Sequence, residues 1–178
     1  MLDRIRSIDQ WVIANISKLH NPTLNTIMKL ASFSANVGII WWLVCLPFLI
    51  NREWRSIGLN FVISLCFAHV MGEGLIKHLV KRVRPCHGLD DDEQRINRPR
   101  FYSFPSGHTT ASFSMVGVAI YRGLPLYVVL PILFLALLIG FSRVYLRVHY
   151  LSDVIAGMIL GLTCSAISVW FFHAVIGI

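Results

Sequence analysis

The sequence predicts an all-α, polytopic membrane helix bundle, and three observations carry that expectation. Of its 178 residues, 56% are hydrophobic and only 14% charged, against about 25% charged in an ordinary soluble domain. Several apolar runs approach the ~20 residues that cross a bilayer. The breaks between those runs hold Pro, Gly and charged side chains, the residues that stop helices. Five spans are expected behind an N-terminal amphipathic interfacial helix, or six if that helix dips into the bilayer. A chain this short is expected to be one domain, 1–178, with the interfacial helix in 1–21 and the bundle in 24–178.

In residues 2–19 the apolar Leu2, Ile5, Ile8, Trp11, Val12, Ile16 and Leu19 recur at spacings of three and four. Asp3, Arg4, Asp9, Gln10 and Lys18 are assigned to the other side, as in a helix lying in the headgroup layer. Asn21-Pro22 ends it. The first span is expected over about 24–50 and the second over about 56–80, separated by the polar turn 51–55. A polar loop, 81–104, follows, with the acidic run Asp90, Asp91, Asp92 and Glu93. The run lacks the Gly and the spaced ligands of a calcium loop and reads as solvated. The third span is expected from Ser106 to about Tyr121, the fourth to about Leu146 with a kink at Pro131, and the fifth from about Asp153.

The formal net charge is +7. The basic residues form no exposed stripe of the kind that binds nucleic acid; many fall between Lys77 and Arg147, in or beside the breaks. Lys81, Arg82 and Arg147 are read as headgroup or interface residues. Cys45, Cys66 and Cys164 are expected as small core hydrophobes, Cys86 is alone in its loop, and no metal-type Cys/His spacing occurs. The first twenty residues are too polar for a signal peptide. His20, His78, His87 and His173 show no partner pattern, and Trp41-Trp42 reads as packing or belt.

With five crossings, the 81–104 loop, the start of the third span and the break at 147–152 share one end of the bundle. Three segments meet there: Lys77-HLVKRV-Arg84-Pro85, Pro105-Ser106-Gly107-His108, and Ser142-Arg143-VYLRV-His149-YLS-Asp153. Ionisable residues at membrane helix ends are costly and point to function. Lys77, Arg84 and Arg143 offer charge for an oxyanion. The helix opening at Ser106-Gly107-His108 offers a hydroxyl, close backbone approach and a favourable dipole. A neutral imidazole can attack phosphorus with a carboxylate behind it; His149 and Asp153, four apart, fit that relation, and His108 could serve as general acid. Glu73 lies one turn before Lys77 and either positions it or balances its charge. Metal and cofactor are not expected.

These three segments closely resemble the tripartite signature of the type 2 phosphatidic acid phosphatase superfamily, K-x6-RP, PSGH and SR-x5-H-x3-D, at every position and in order, over residues 77–153. The resemblance implies His149 as a nucleophile forming phosphohistidine, Asp153 as its orienter and His108 as the acid. It also implies Lys77, Arg84, Ser106, Gly107 and Arg143 as the phosphate cradle. The expected substrate is a lipid phosphate or diphosphate, undecaprenyl diphosphate or phosphatidylglycerophosphate first, at the outer face of the cytoplasmic membrane. Two rivals use the same residues: a phosphotransferase passing phosphate to another lipid, and a transporter that would need the cations but not the histidines.

Overall fold

The structure is a computed structural model and describes residues 2–88, 96, 97, 99 and 102–176; the acidic run 90–93 falls outside them. Among the described residues every regular element is helical: α1 (Leu2–Ile16), α2 (Pro22–Ser34), α3 (Ile39–Ile50), α4 (Arg55–His69), α5 (Lys77–Val80), α6 (Gly107–Tyr121), α7 (Leu126–Tyr145) and α8 (Leu151–Ile176). A π-helical stretch, Val70–Ile76, joins α4 to α5 without a break, so 55–80 is one 26-residue apolar rod. Among the described residues three helices are long and apolar enough to cross a membrane: Arg55–Val80, Leu126–Tyr145 and Leu151–Val175.

A fourth candidate span is the pair α2 and α3, and here the structure departs from the expected continuous helix over 24–50. The two are bent by 58°. Asn21 starts α2 by accepting the Leu24 N–H at 2.9 Å, with Pro22 behind it. The helix then fails at Ala35–Gly38, where Val37 (φ 53°) and Gly38 (φ 73°) turn left-handed. The apolar density on both sides hides this short polar, glycine-ended break from a reading by hydropathy.

Helix α6 is the axis of the bundle. Ten of its 15 residues are buried, and it packs on α4, α7 and α8. Its hydroxyls turn inward on its own carbonyls: Thr110 donates to Ser106 O at 3.0 Å and Ser112 to His108 O at 2.7 Å, so polar side chains enter the core satisfied. Trp41, fully buried, donates its indole N–H to Ser112 Oγ at 3.2 Å, which supports the packing reading of that residue.

Helices α6 and α8 run side by side in the same direction. The Ser106 N–H donates to Asp153 O at 3.0 Å, and a Cβ built on Gly161 would fall 2.4 Å from Thr110 O. The Gly157-xxx-Gly161 spacing lets the two backbones touch, as small residues do between membrane helices. That contact fixes the starts of α6 and α8, and with them two of the three sequence motifs, at one level.

The N-terminal region folds onto this same end. His20, given no role on the sequence, reaches Tyr145 O with Nε2 at 3.0 Å, and Tyr145 donates its hydroxyl to Asn25 at 2.7 Å. Asp9, expected on the solvated side of α1, is instead 2% exposed. It falls on the Ile5, Asp9, Val12, Ile16 stripe, and its charge is answered by partners from the bundle. Cys45, Cys86 and Cys164 are buried, whereas Cys66, expected in the core, is exposed.

Candidate active site

Each motif reaches the site by a local device. After Val80 the chain leaves the helix through Lys81 (φ 52°) and runs extended to Arg84. Side chains alternate there, so Val83 points out (66% exposed) while Arg82 and Arg84 turn inward. At the other end of the site α7 stops at Tyr145, and Arg147 (φ 54°) folds the chain back. The Arg143 carbonyl then accepts the N–H groups of Val148 and His149, at 3.1 and 3.2 Å, fixing the backbone of His149 over the last turn of α7. Three residues into α8, Asp153 Oδ2 reaches back to the Tyr150 N–H at 2.9 Å, the acid half of a capping box.

The motifs close around a cavity of about 670 Å³. Lys77, Arg84, Arg143, His108 and His149 line it; α2 adds Lys29 and Ser32, and the break after α2 adds Asn36. His149 is 1% exposed. Its Nε2 stands 2.9 Å from Arg84 Nη1, which also donates to Val148 O at 2.9 Å. A guanidinium is only a donor, so Nε2 carries the lone pair and Nδ1 the proton. That Nδ1 faces Asp153 Oδ2 at 3.6 Å, longer than a hydrogen bond. Burial first, then Arg84, Arg143 and Lys77, push the His149 pKa well below its ordinary value. The imidazole is therefore neutral, with a free electron pair facing the cations.

Lys77 is held by Glu73, whose Oε1 lies 2.6 Å from Nζ. The same carboxylate lies so close to Gly107 that a Cβ there would fall 1.7 Å from it. Arg143 hydrogen-bonds Ser32 on α2. His108 Nε2 meets Asn36 Oδ1 at 3.0 Å, in the break between α2 and α3; with an amide oxygen opposite, that nitrogen bears a proton. Ser106 lies behind the cavity: its Oγ accepts from Thr109 at 2.9 Å and its N–H goes to Asp153 O. Gly107 lines an adjoining groove of about 530 Å³, apolar with Val37, Trp42, Leu65 and Val70 in its wall. Groove and cavity share Glu73 and His108.

Four residues in the hydrogen-bond network of this site were not visible in the motifs. Ser32 and Asn36 belong to a helix read only as a span. Arg82, taken for an interface residue, bonds Asp153 Oδ1 at 2.6 Å and Asp9 Oδ2 at 2.7 Å. Burial pulls its pKa down, but the hydrogen bond to Asp9 and the attraction of both carboxylates outweigh that, and the net shift is upward. Asp9 is the fourth. Among the described residues no three His, Cys, Asp or Glu side chains cluster as a metal site. The arrangement suits a tetrahedral anion: fixed cations, a neutral imidazole and a second histidine.

A family model described as the PAP2 superfamily matches residues 53–176. The chain belongs to the PAP2 superfamily. Among its PAP2 relatives is an undecaprenyl-diphosphatase from Sulfolobus acidocaldarius, 34% identical over 92% of this chain and 77% of that protein. Phosphatidylglycerophosphatase B of Bacillus subtilis is 27% identical over 89% of this chain and 80% of its own length. In fold the chain is similar to the crystal structure of a transmembrane PAP2 type phosphatidylglycerolphosphate phosphatase from Bacillus subtilis, with a TM-score of 0.77 at 23% identity, covering 97% of this chain and 88% of that one. The resemblance read from the three PAP2 motifs is thus confirmed, and with it a multi-pass helical membrane protein with hydrolase chemistry.

Proposed function

We propose that this single-domain protein hydrolyses the phosphate or diphosphate of a membrane lipid through His149, and that the first substrate to try is a polyprenyl diphosphate, with phosphatidylglycerophosphate second. One observation supports this above the rest: His149 Nε2 bears a lone pair and faces the cavity beside Arg84, while Nδ1 turns to Asp153. In the first step Nε2 forms a bond to phosphorus as the bond to the leaving oxygen breaks. His108, protonated once the bound phosphate offsets the charge of Lys77, Arg84 and Arg143, gives that oxygen its proton. Asp153 balances the charge gained by the His149 ring. In the second step water attacks phosphorus, His108 takes a proton from it, and the N–P electrons return to His149 as phosphate departs. Lys77, Arg84 and Arg143 hold the equatorial oxygens, with Gly107 making room for the Glu73 carboxylate that holds Lys77 and Ser106 supporting the α6 start from behind.

A transporter would use the three cations, but the paired histidines and the Asp153 contact would have no task. The apolar groove meeting the cavity at His108 suits a lipid chain. Hydrolysis and transfer to a second lipid share every residue above and differ only in the acceptor. The test is phosphate release by purified enzyme from a panel of lipid phosphates and diphosphates. Turnover should persist in excess EDTA, because three cations already neutralise the phosphate, and orthovanadate should inhibit as a trigonal-bipyramidal mimic at His149. Loss in EDTA with recovery on Mg²⁺ would redirect attention to Asp90, Asp91, Asp92 and Glu93.

For topology we propose five crossings, counting the α2–α3 pair once. Helix α6, at 15 residues roughly 22 Å long, is short for a span, but it is sheathed by its neighbours. Helix α1 then lies in the interface on the catalytic side. The turns opposite carry Arg52, Arg55 and Arg122 against Glu53, which suits a cytoplasmic face and leaves the site at the outer surface of the cytoplasmic membrane. Single cysteines at Asp92 and Gly123 in a Cys-free background check this with an impermeant thiol reagent on intact cells. Asp92 should label and Gly123 should not; the reverse inverts the topology.

A further inference from the structure

Asp9 is the one charged residue of α1 that is buried, and the superfamily match begins only at residue 53. Its carboxylate is fully engaged. Oδ1 accepts the Ser152 N–H at 3.0 Å, in the first turn of α8. Oδ2 accepts the Ser152 hydroxyl at 2.5 Å and Arg82 Nη2 at 2.7 Å. The other end of the same guanidinium, Nη1, donates to Ser152 Oγ at 2.7 Å and to Asp153 Oδ1 at 2.6 Å. Tyr150 stacks against it, 4.1 Å from Arg82 Cζ to the ring centroid. Arg82 is thus clamped between two carboxylates, one on α1 and one on α8.

We propose that Asp9 is a positioning residue for the reaction at His149, acting through Arg82 on Asp153. This rests on the reading of His149 and Asp153 given above. The Asp153 carboxylate has two tasks on two oxygens. Oδ1 is anchored by Arg82 and Oδ2 by the Tyr150 N–H, and together the two anchors set the bearing of the carboxylate on His149 Nδ1. Arg82 alone could not hold that anchor, since its side chain is 24% exposed and water competes for it. Asp9 fixes the far end of the guanidinium and caps the helix start that carries Asp153. It does not line the cavity, so it meets no substrate phosphate. Docking of α1 thereby becomes part of the catalytic geometry, and a small misplacement there costs up to about 100-fold in rate.

The alternative is that Asp9 merely pins α1 to the bundle. Full-length enzyme with Asp9→Asn, which keeps the shape and removes the charge, separates the two. The proposal expects kcat to fall about 10- to 100-fold with KM within twofold. It also expects no further loss when Asp9→Asn is added to Asp153→Asn, because the first acts only through the second. The ¹⁵N resonance of His149 Nδ1 should shift in Asp9→Asn. Losses that multiply in the double variant overturn the proposal; so does an unmoved resonance, which decides the matter if Asp153→Asn is too slow to measure. Arg82→Lys should mimic Asp9→Asn, since one ammonium cannot span both carboxylates. If His149→Ala retains turnover, the reading of the site itself has failed. If His149→Ala is inert while Asp9→Asn keeps wild-type kcat, only the positioning role is lost.

Discussion

His149→Ala is expected to eliminate phosphate release, by a factor of at least about 10⁴, while the protein remains folded and membrane-inserted. The ring fills a buried slot between Arg84 and Asp153; its removal leaves a small void, a guanidinium that still has the Val148 carbonyl and a carboxylate that still has Arg82. Stability should change little beside the loss of the attacking atom. A residual rate from bound water held by Lys77, Arg84 and Arg143 sets the floor. Because burial and the neighbouring cations depress the pKa of His149, its ring in the wild type is neutral well below the ordinary titration point of 6.5. Acidification through that value should therefore leave its attacking form intact. Turnover of His149→Ala within tenfold of wild type would sink the nucleophile assignment, and a folded state checked by thermal melting in detergent keeps that outcome interpretable.

The second large effect is expected at His108, and its size should depend on what is leaving. His108→Ala removes the proton donor to the departing oxygen, a loss of about 10²–10⁴-fold. A lipid alkoxide needs that proton badly; the phosphate leaving from a diphosphate and a nitrophenolate are both weak bases and need it far less. Rates of His108→Ala should therefore fall much more on a phospholipid monoester than on a polyprenyl diphosphate or p-nitrophenyl phosphate. An equal loss on all three would assign His108 to phosphate binding. Asn36 supplies a control: it meets His108 through a single amide oxygen, and Asn36→Ala should give a smaller version of the same leaving-group trend.

The three motifs were legible because their chemistry is concentrated. Lys77, Arg84, His108, Arg143 and His149 sit in or beside helix breaks of an apolar chain, where charge is conspicuous, and all five line one cavity. The parity of the crossings already put them at one end. The first forty residues were harder. Asn36 and Ser32 are ordinary polar residues in a helix that reads as a span, and nothing local says that the α2–α3 bend turns them toward the site. Asp9 did carry a signal: it interrupts the Ile5, Val12, Ile16 stripe on the apolar side of α1, where an acid has no place unless a partner answers it. Assigning it to the polar side by residue type, not by angle around the helix, lost that information. Arg82 shows the same limit. Beside Arg84 it looks like one more interface cation, and only the extended chain after Lys81 turns both inward.

The clamp around Asp9 also constrains the order of events during synthesis. Asp9 leaves the ribosome early, yet Arg82 follows 73 residues behind and Ser152 143 residues behind. At about 5–20 residues per second, the second interval lasts on the order of ten seconds. Throughout it a carboxylate with no partner must stay in water, because sinking it into hydrocarbon is costly. Asp9 therefore holds the first helix at the membrane surface until the last helix has been delivered, and α1 docks only onto a nearly complete bundle. A chain without α8 lacks Ser152 and Asp153 as well, so the clamp can close only as assembly ends.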